Sequence, residues 1–249
     1  QTDEGRGLFY SGTPTGLSAI TWFAESNQIS AKFGASVSSA GDVNNDGYAD
    51  IIVGAPLYDG GQADEGRVFV WFGSAAGLGA NGTPANADWW KESDQAGAQY
   101  GASVASAGDI NTDGYGDIII GAPLYDNGNT DEGRAYLYKG SATGPAAAPA
   151  WTAQGSQDNA QFGCSVASAG DVNADGYGDA IVGTRLYDND QTDEGRASVF
   201  LGTSSTLLPT ASWTAEGDQN NAQFGYSVAG AGDVNGDGYA DVVAGAPYY

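Results

Sequence analysis

Four segments, residues 42–50, 109–117, 171–179 and 233–241, carry one nine-residue pattern of oxygen-bearing side chains. Positions one, three, five and nine are Asp42, Asn44, Asp46 and Asp50 in the first; Asp109, Asn111, Asp113 and Asp117 in the second; Asp171, Asn173, Asp175 and Asp179 in the third; and Asp233, Asn235, Asp237 and Asp241 in the fourth. Position six is always glycine: Gly47, Gly114, Gly176 and Gly238. A hard cation such as Ca²⁺ takes about six to eight oxygens at roughly 2.3–2.6 Å, and ligands at one, three and five plus a main-chain carbonyl at seven wrap such an ion while glycine permits the sharp turn. The carbonyls at seven would be those of Tyr48, Tyr115, Tyr177 and Tyr239. The spacing starts like an EF-hand loop but closes with an acid at nine instead of twelve, and no helical pattern flanks it.

About four Ca²⁺ ions, one per segment, are therefore expected. Mg²⁺ wants a tighter octahedral shell and keeps its waters, so it fits less well. With no histidine and one cysteine, zinc or copper sites are unsupported. The competing reading is a metal-free Asp/Asn/Gly turn, since these residues favour tight turns in any case; four copies in one register weigh against it. The net charge of −23 points the same way, because crowded carboxylates repel one another unless something neutralises them. The same charge makes nucleic acid a poor partner.

These segments sit inside a longer repeat. Phe33-Gly34, Tyr100-Gly101, Phe162-Gly163 and Phe224-Gly225 each lead, through a small-residue stretch, into the acidic pattern roughly sixty residues apart. The first interval is longer because of a Gly-, Asn- and Pro-rich insertion over residues 77–88. In the second copy four short strands are expected: residues 102–107, 117–121 and 134–139, and one around Trp151. The 117–121 run is continuously apolar, as a strand covered on both faces should be. Forty glycines, fourteen tyrosines and six tryptophans suit short strands and turns better than helices. The fold predicted is an all-β propeller of four blades with four antiparallel strands each, forming a single domain over residues 1–249 with blades at about 33–90, 100–151 and 162–213. The fourth combines 224–249 with 1–22, because the opening Gln1-Thr2-Asp3-Glu4-Gly5-Arg6 repeats as Gln191 to Arg196. The two halves complement each other within one chain or between chains.

In the residues Phe33-Gly34 and Gly54-Ala55-Pro56, with Gly121-Ala122-Pro123 and Gly245-Ala246-Pro247, the chain resembles the FG-GAP repeat of the integrin α-chain N-terminal propeller. Nearly the whole chain shares the likeness; the third copy departs at Gly183-Thr184-Arg185. The resemblance implies calcium in the hairpin between the first two strands of a blade and partners bound by loops on the opposite face. It also implies seven blades per ring, against four here.

The expected function is a secreted or cell-surface binding or adhesion module, with an extracellular protein or glycan as ligand. Any signal peptide would have been removed or lie outside this sequence, and no apolar run approaches a membrane span. A second class is self-assembly into a dimer, fibre or surface layer by half-blade pairing. A third is calcium-dependent hydrolysis, for which no general base or nucleophile stands out from the repeat, with Arg185 the clearest break in the pattern. The chain is thus expected not to be an enzyme. Cys164 reads as a strand position, since its equivalents are Ala35, Ala102 and Tyr226. The repeated Asp-Glu-Gly-Arg, ending at Arg6, Arg67, Arg134 and Arg196, reads as an internal pin on a neighbouring loop or carboxylate. Trp22, Trp90, Trp151 and Trp213 read as once-per-repeat packing residues, with a sugar-stacking platform as the alternative.

Overall fold

The computed structural model describes residues 2–249; Gln1, first residue of the repeated Gln-Thr-Asp-Glu-Gly-Arg motif, lies outside the described residues. Among them every regular element is a strand. Three blades are complete: β3 (Ser36–Gly41), β4 (Asp50–Ala55), β5 (Arg67–Trp71) and β6 (Trp89–Glu92); β7 (Ser103–Gly108), β8 (Asp117–Ala122), β9 (Arg134–Tyr138) and β10 (Trp151–Gln154); β11 (Phe162–Gly170), β12 (Asp179–Thr184), β13 (Arg196–Phe200) and β14 (Trp213–Glu216). In each the strands are antiparallel and lie in chain order. Two further pairs stand alone: β1 (Gly7–Thr13) with β2 (Gly16–Ala24), and β15 (Ser227–Gly232) with β16 (Asp241–Gly245).

The second strand of each complete blade is sandwiched between neighbours, and β8 and β12 are buried along their whole length. Apolar layers fill each gap. Ile52, Val68 and Val70 meet Tyr100, Ile118 and Tyr136 between the first two complete blades. Ile119, Leu137 and Trp151 meet Phe162, Val182 and Phe200 between the next two. The β1–β2 pair packs its Trp22 and Ala24 on Phe33, Phe69 and Trp71, and the β15–β16 pair packs Val228 and Val242 on Ile181 and Val199. First strands of successive blades run side by side, which places them innermost.

The repeated glycines set how close the blades come. The amide of Gly101 donates to the carbonyl of Gly121 in its own blade at 2.9 Å. The Gly101 carbonyl in turn lies against Gly54 of the preceding blade, where an added Cβ would meet it at 2.0 Å. Gly121 faces the Gly163 carbonyl in the same way at 1.9 Å, and Gly183 the Gly225 carbonyl at 1.9 Å. The Phe-Gly and Gly-Ala-Pro motifs are thus two halves of one blade-to-blade contact that has no room for a side chain.

One expectation is corrected here. The halves 1–22 and 224–249 do not complete a blade within the chain: β1–β2 and β15–β16 are separate two-stranded sheets, each docked on its neighbour in sequence. The bridge Gly5 to Phe33 is of the same kind as Gly133 to Phe162 and Gly195 to Phe224, and at all four steps the amide of Phe33, Tyr100, Phe162 or Phe224 donates to the motif glutamate's carbonyl in the preceding blade. Four such steps would lay the last pair beside the first in a closed four-bladed ring. They do not, so the ring stays open between β1–β2 and β15–β16, and the blades form an open arc. Val37 is 61% exposed while its equivalents Val104 and Val166 are 7% and 5% exposed. Val243 is likewise 56% exposed against 0% for Ile52, Ile119 and Ile181.

The tryptophan assignment also shifts. Strand register pairs Trp89 with Val70, as Trp151 pairs with Leu137 and Trp213 with Val199, so Trp89 and not Trp90 is the repeat residue. Trp22, Trp89 and Trp151 stack edge-on against Trp71, Tyr138 and Phe200, each in the third strand of the following blade. Trp213 has no following third strand and is 45% exposed.

Replacing Gly121 with alanine is expected to lower stability by about 1–3 kcal/mol, because the new methyl must push two backbones apart. The readout is the urea midpoint; an unchanged midpoint would show that the blades do not approach so closely.

Candidate metal centres

The four acidic loops join the first strand of each blade, or half-blade, to the second and lie at the same end of every sheet. Their backbone is shaped by two left-handed positions. Gly47, Gly114, Gly176 and Gly238 have φ of 90°, 90°, 92° and 92°. Position four, which the sequence reading passed over, is also left-handed: Asn45 at 56°, Thr112 at 57°, Ala174 at 56° and Gly236 at 77°.

The side chains organise each loop from within. Asp42 accepts the amides of Asp46 at 3.0 Å and Gly47 at 2.8 Å, and Asp46 accepts that of Tyr48 at 2.9 Å. Asp109 and Asp113, Asp171 and Asp175, and Asp233 and Asp237 repeat the arrangement. Position nine is different. Asp50, Asp117 and Asp179 are fully buried. One oxygen of Asp50 accepts the Val43 amide and the other the Gly73 amide, both at 2.8 Å. Asp117 holds Ile110 and Gly140, and Asp179 holds Val172 and Gly202. This carboxylate therefore fastens the loop to the turn after the third strand. Asp241, in the half-blade, holds Val234.

Each carboxylate oxygen has a second lone pair, so these bonds leave acceptor capacity for a cation. Asn111 Oδ1 is buried and makes no hydrogen bond, whereas the Oδ1 atoms of Asn44, Asn173 and Asn235 accept from the amides of Asp46, Asp175 and Asp237. An all-oxygen donor set with an orphaned acceptor fits a hard cation. Among the described residues the trio of carboxylates with oxygens within 4.8 Å of one another is Glu65, Glu92 and Asp94, beside Arg67 and outside these loops. In none of the four loops do the three aspartates form such a trio: the position-nine oxygens of the complete blades face the loop amides, so the structure does not bring position nine together with positions one and five.

Electrostatics favour a cation at the buried end. Burial pushes the Asp117 carboxyl up to about 6, against the pull of the Gly140 and Ile110 amides, with Asp113 and Asp109 adding to the rise. Asp50 and Asp179 are raised for the same first reason, burial. Asp233 moves the other way, held down chiefly by the Gly238 amide. A divalent ion stabilises the ionised form of all of them. Neighbouring loops are also tied together: the Gly116 amide donates to the Asp42 carbonyl at 2.7 Å, and that of Ala240 to Asp171 at 2.9 Å.

The opposite rim, made of the loops between second and third strands, is fixed by a device that sequence reading missed. Gln28 donates to the Asp59 carbonyl and accepts the Asp59 amide at 2.9 and 2.6 Å. Gln95 clamps Asp126, and Gln157 clamps Asp188, in the same two-way manner. The glutamines recur five residues before each Phe/Tyr-Gly, which was the available signal. In the Asp-Glu-Gly-Arg motif, Glu65 accepts the amides of Gly60, Gly61 and Gln62, and Arg67 pairs with Glu92. Its role is the internal one expected. Arg185 bonds Gln161 at 2.7 Å and lies over the Tyr226 ring, so the break in the third copy is structural too. The Cys164 thiol is pushed up by burial and lies 3.6 Å from the Gly225 carbonyl, as a strand position.

An arc of four-stranded blades bearing one acidic loop per first hairpin defines a propeller-like repeat protein. The chain contains FG-GAP repeats: that family's model matches residues 33–71, 100–138 and 224–249. Integrin alpha-5 of Xenopus laevis is 34% identical over 191 residues, 73% of this chain and 17% of the relative. Integrin alpha-V of Gallus gallus is 32% identical over 194 residues, 74% of this chain and 18% of the relative. Phosphatidylinositol-glycan-specific phospholipase D of Rattus norvegicus is 29% identical over 248 residues, 92% of this chain and 29% of the relative. The chain thus spans less than a third of the length of these relatives. The crystal structure of a rhamnogalacturonan lyase covers 98% of the chain at 15% identity with a TM-score of 0.49, too distant a likeness to bear on function.

Proposed function

We propose that the chain is a calcium-loaded extracellular binding module, non-enzymatic, that presents its clamped rim of loops to a protein or glycan on other cells or matrix. The carrying observation is the opposition of two loop sets on one rigid arc: acidic loops at one end and, at the other, Tyr58 to Gly66, Tyr125 to Gly133 and Tyr187 to Gly195, each held by glutamine clamps and a buried glutamate. Similarity to integrin alpha chains supports a protein ligand, and a cell-surface or secreted location. Among the described residues no helix is long and apolar enough to cross a membrane. Calcium in the loops would fasten adjacent hairpins and offset part of the −23 charge, so that the far rim keeps its shape.

The test is binding of the chain to arrays of matrix proteins and glycans, with calcium and with a chelator. A calcium-dependent signal on at least one surface, reduced by shortening the 125–133 loop, is expected. No binding, or release of cleaved product from a glycan, would contradict the reading.

A second reading, self-assembly, is favoured by one specific match. In each interface between blades a fourth-strand tryptophan meets an aromatic residue four places after the motif arginine: Trp71, Tyr138 or Phe200. The residue at that place in β1 is Tyr10, 44% exposed, and the tryptophan without a partner is Trp213. An apolar groove of about 590 Å³ beside β1, lined by Phe9, Val37, Ile51 and Val53, lies where the first two strands of that blade belong. The β15–β16 pair of a second copy supplies both missing strands and brings Trp213 onto Tyr10. Light scattering across a concentration series is expected to show a dimer or larger assembly that Trp213→Ala reverses. A monomer at every concentration would rule this reading out.

A further inference from the structure

One motif arginine lacks the partner that the other three possess. Strand register places Arg67 opposite Glu92 and Arg196 opposite Glu216, and both pairs form ion pairs, as do Arg6 and Glu25. Arg134 stands opposite Gln154. Its Nε is buried and makes no hydrogen bond, and among its donors Nη1 reaches the Tyr125 hydroxyl at 3.1 Å. In the first blade Trp90 also lies over Arg67, at 4.2 Å from the ring centroid; the register gives that place to Thr152 in the second blade. Arg134 thus lacks both the carboxylate and the tryptophan, and its neighbours are the rings of Tyr125 and Tyr136, with the Tyr136 side chain also hydrogen-bonded to it. Nearby in sequence, Glu132 Oε1 is also buried without a hydrogen bond, although its counterparts in Glu65 and Glu194 accept loop amides.

The guanidinium opens on a cavity of about 560 Å³ between the blades 103–154 and 162–216. That volume lies within the usual range for small-ligand sites, about 300–1,000 Å³. Thr152, Thr184, Ser198 and Tyr187 line it together with Arg196, which is already paired with Glu216, and with Phe200 as an apolar residue. A half-buried guanidinium with unused donors is incomplete without an anion, and a carboxylate matches its planar fork. The wall of hydroxyls around it suits a ligand that carries hydroxyls of its own.

We propose that Arg134 anchors a carboxylate-binding site in this cavity, and that the ligand is an acidic sugar of the hexuronate kind. Gln154 fills the place of Glu92 and Glu216 and is held there by Asn127, as Glu216 is by Asn189, so Arg134 would take the carboxylate on its cavity side, with the threonine and serine side chains bonding the ring hydroxyls. The site lies between strands of adjacent blades, away from the acidic loops, and meets the clamped rim only through Tyr125 and Tyr187 at the starts of two of its loops, so its test is independent of calcium and of the adhesion reading. With so much negative charge elsewhere, anion binding by this chain is diagnostic of a local site.

The test is calorimetric titration of the calcium-saturated chain with glucuronate, glucose and glutamate, on the native sequence, Arg134→Gln and Gln154→Glu. Gln154→Glu supplies the carboxylate that Glu92 and Glu216 provide in the neighbouring blades and leaves the fold intact, which its thermal midpoint, equal or higher, verifies. Glucuronate is expected to bind with a dissociation constant of about 1 mM or tighter, glucose not at all, and both variants to weaken binding about tenfold or more. Glutamate binding with the same loss in Gln154→Glu would keep the anchor and move the source to an acidic side chain. Absence of binding by either acid, or equal binding by Gln154→Glu, would overturn the proposal.

Discussion

The whole arrangement rests on the contact between the carbonyls of Gly101, Gly163 and Gly225 and the glycines Gly54, Gly121 and Gly183 of the preceding blade. With a built Cβ only 1.9–2.0 Å from that carbonyl, the position admits glycine alone. Close approach here lets Ile118, Ile120 and Ala122 bury against the preceding blade and Ile119 against the following one, and each such apolar chain contributes about 1.5–3 kcal/mol. It also fixes the relative position of successive hairpins, which is why the Gly116 amide finds the Asp42 carbonyl. The acidic loops are displayed by blade packing and do not create it.

On that scaffold the charges are sorted by role. Position-nine aspartates and motif glutamates are spent on amides inside the structure, and their burial tolerates a negative charge only because those amides, or a cation, oppose the desolvation. Acids at positions one and five remain towards solvent, where a cation can reach them. Three of the four motif arginines close ion pairs, and the exception is traced to the single substitution at Gln154. A repeat therefore makes its own controls: a residue's meaning is read from what its equivalents do.

Much of this was legible before any coordinates. Strand limits in the second copy fall within a residue or so of expectation because alternation, glycines and the Asp-rich turn all mark the same borders. The inward role of the Asp-Glu-Gly-Arg motif followed from its recurrence. Ring closure did not, because a repeat states how many blades there are and not the angle between them. The Trp89 and Trp90 ambiguity arose because adjacent tryptophans differ only in which face of β6 they occupy, a one-residue register question. The amide-holding role of Asp50, Asp117 and Asp179 was hidden because their partners Gly73, Gly140 and Gly202 lie far along the chain. The glutamine clamps were visible as a fixed offset, and Gln154 became informative only once β9 and β10 were in register.

The central claim is that the acidic loops hold calcium. Equilibrium dialysis of chelator-stripped protein against labelled calcium measures it directly, with Asp109→Ala and Asp113→Ala combined in one variant to disable the loop that holds Asn111. The account predicts about four ions per chain and about one fewer in the variant. No bound calcium, or the same number in both proteins, would contradict it.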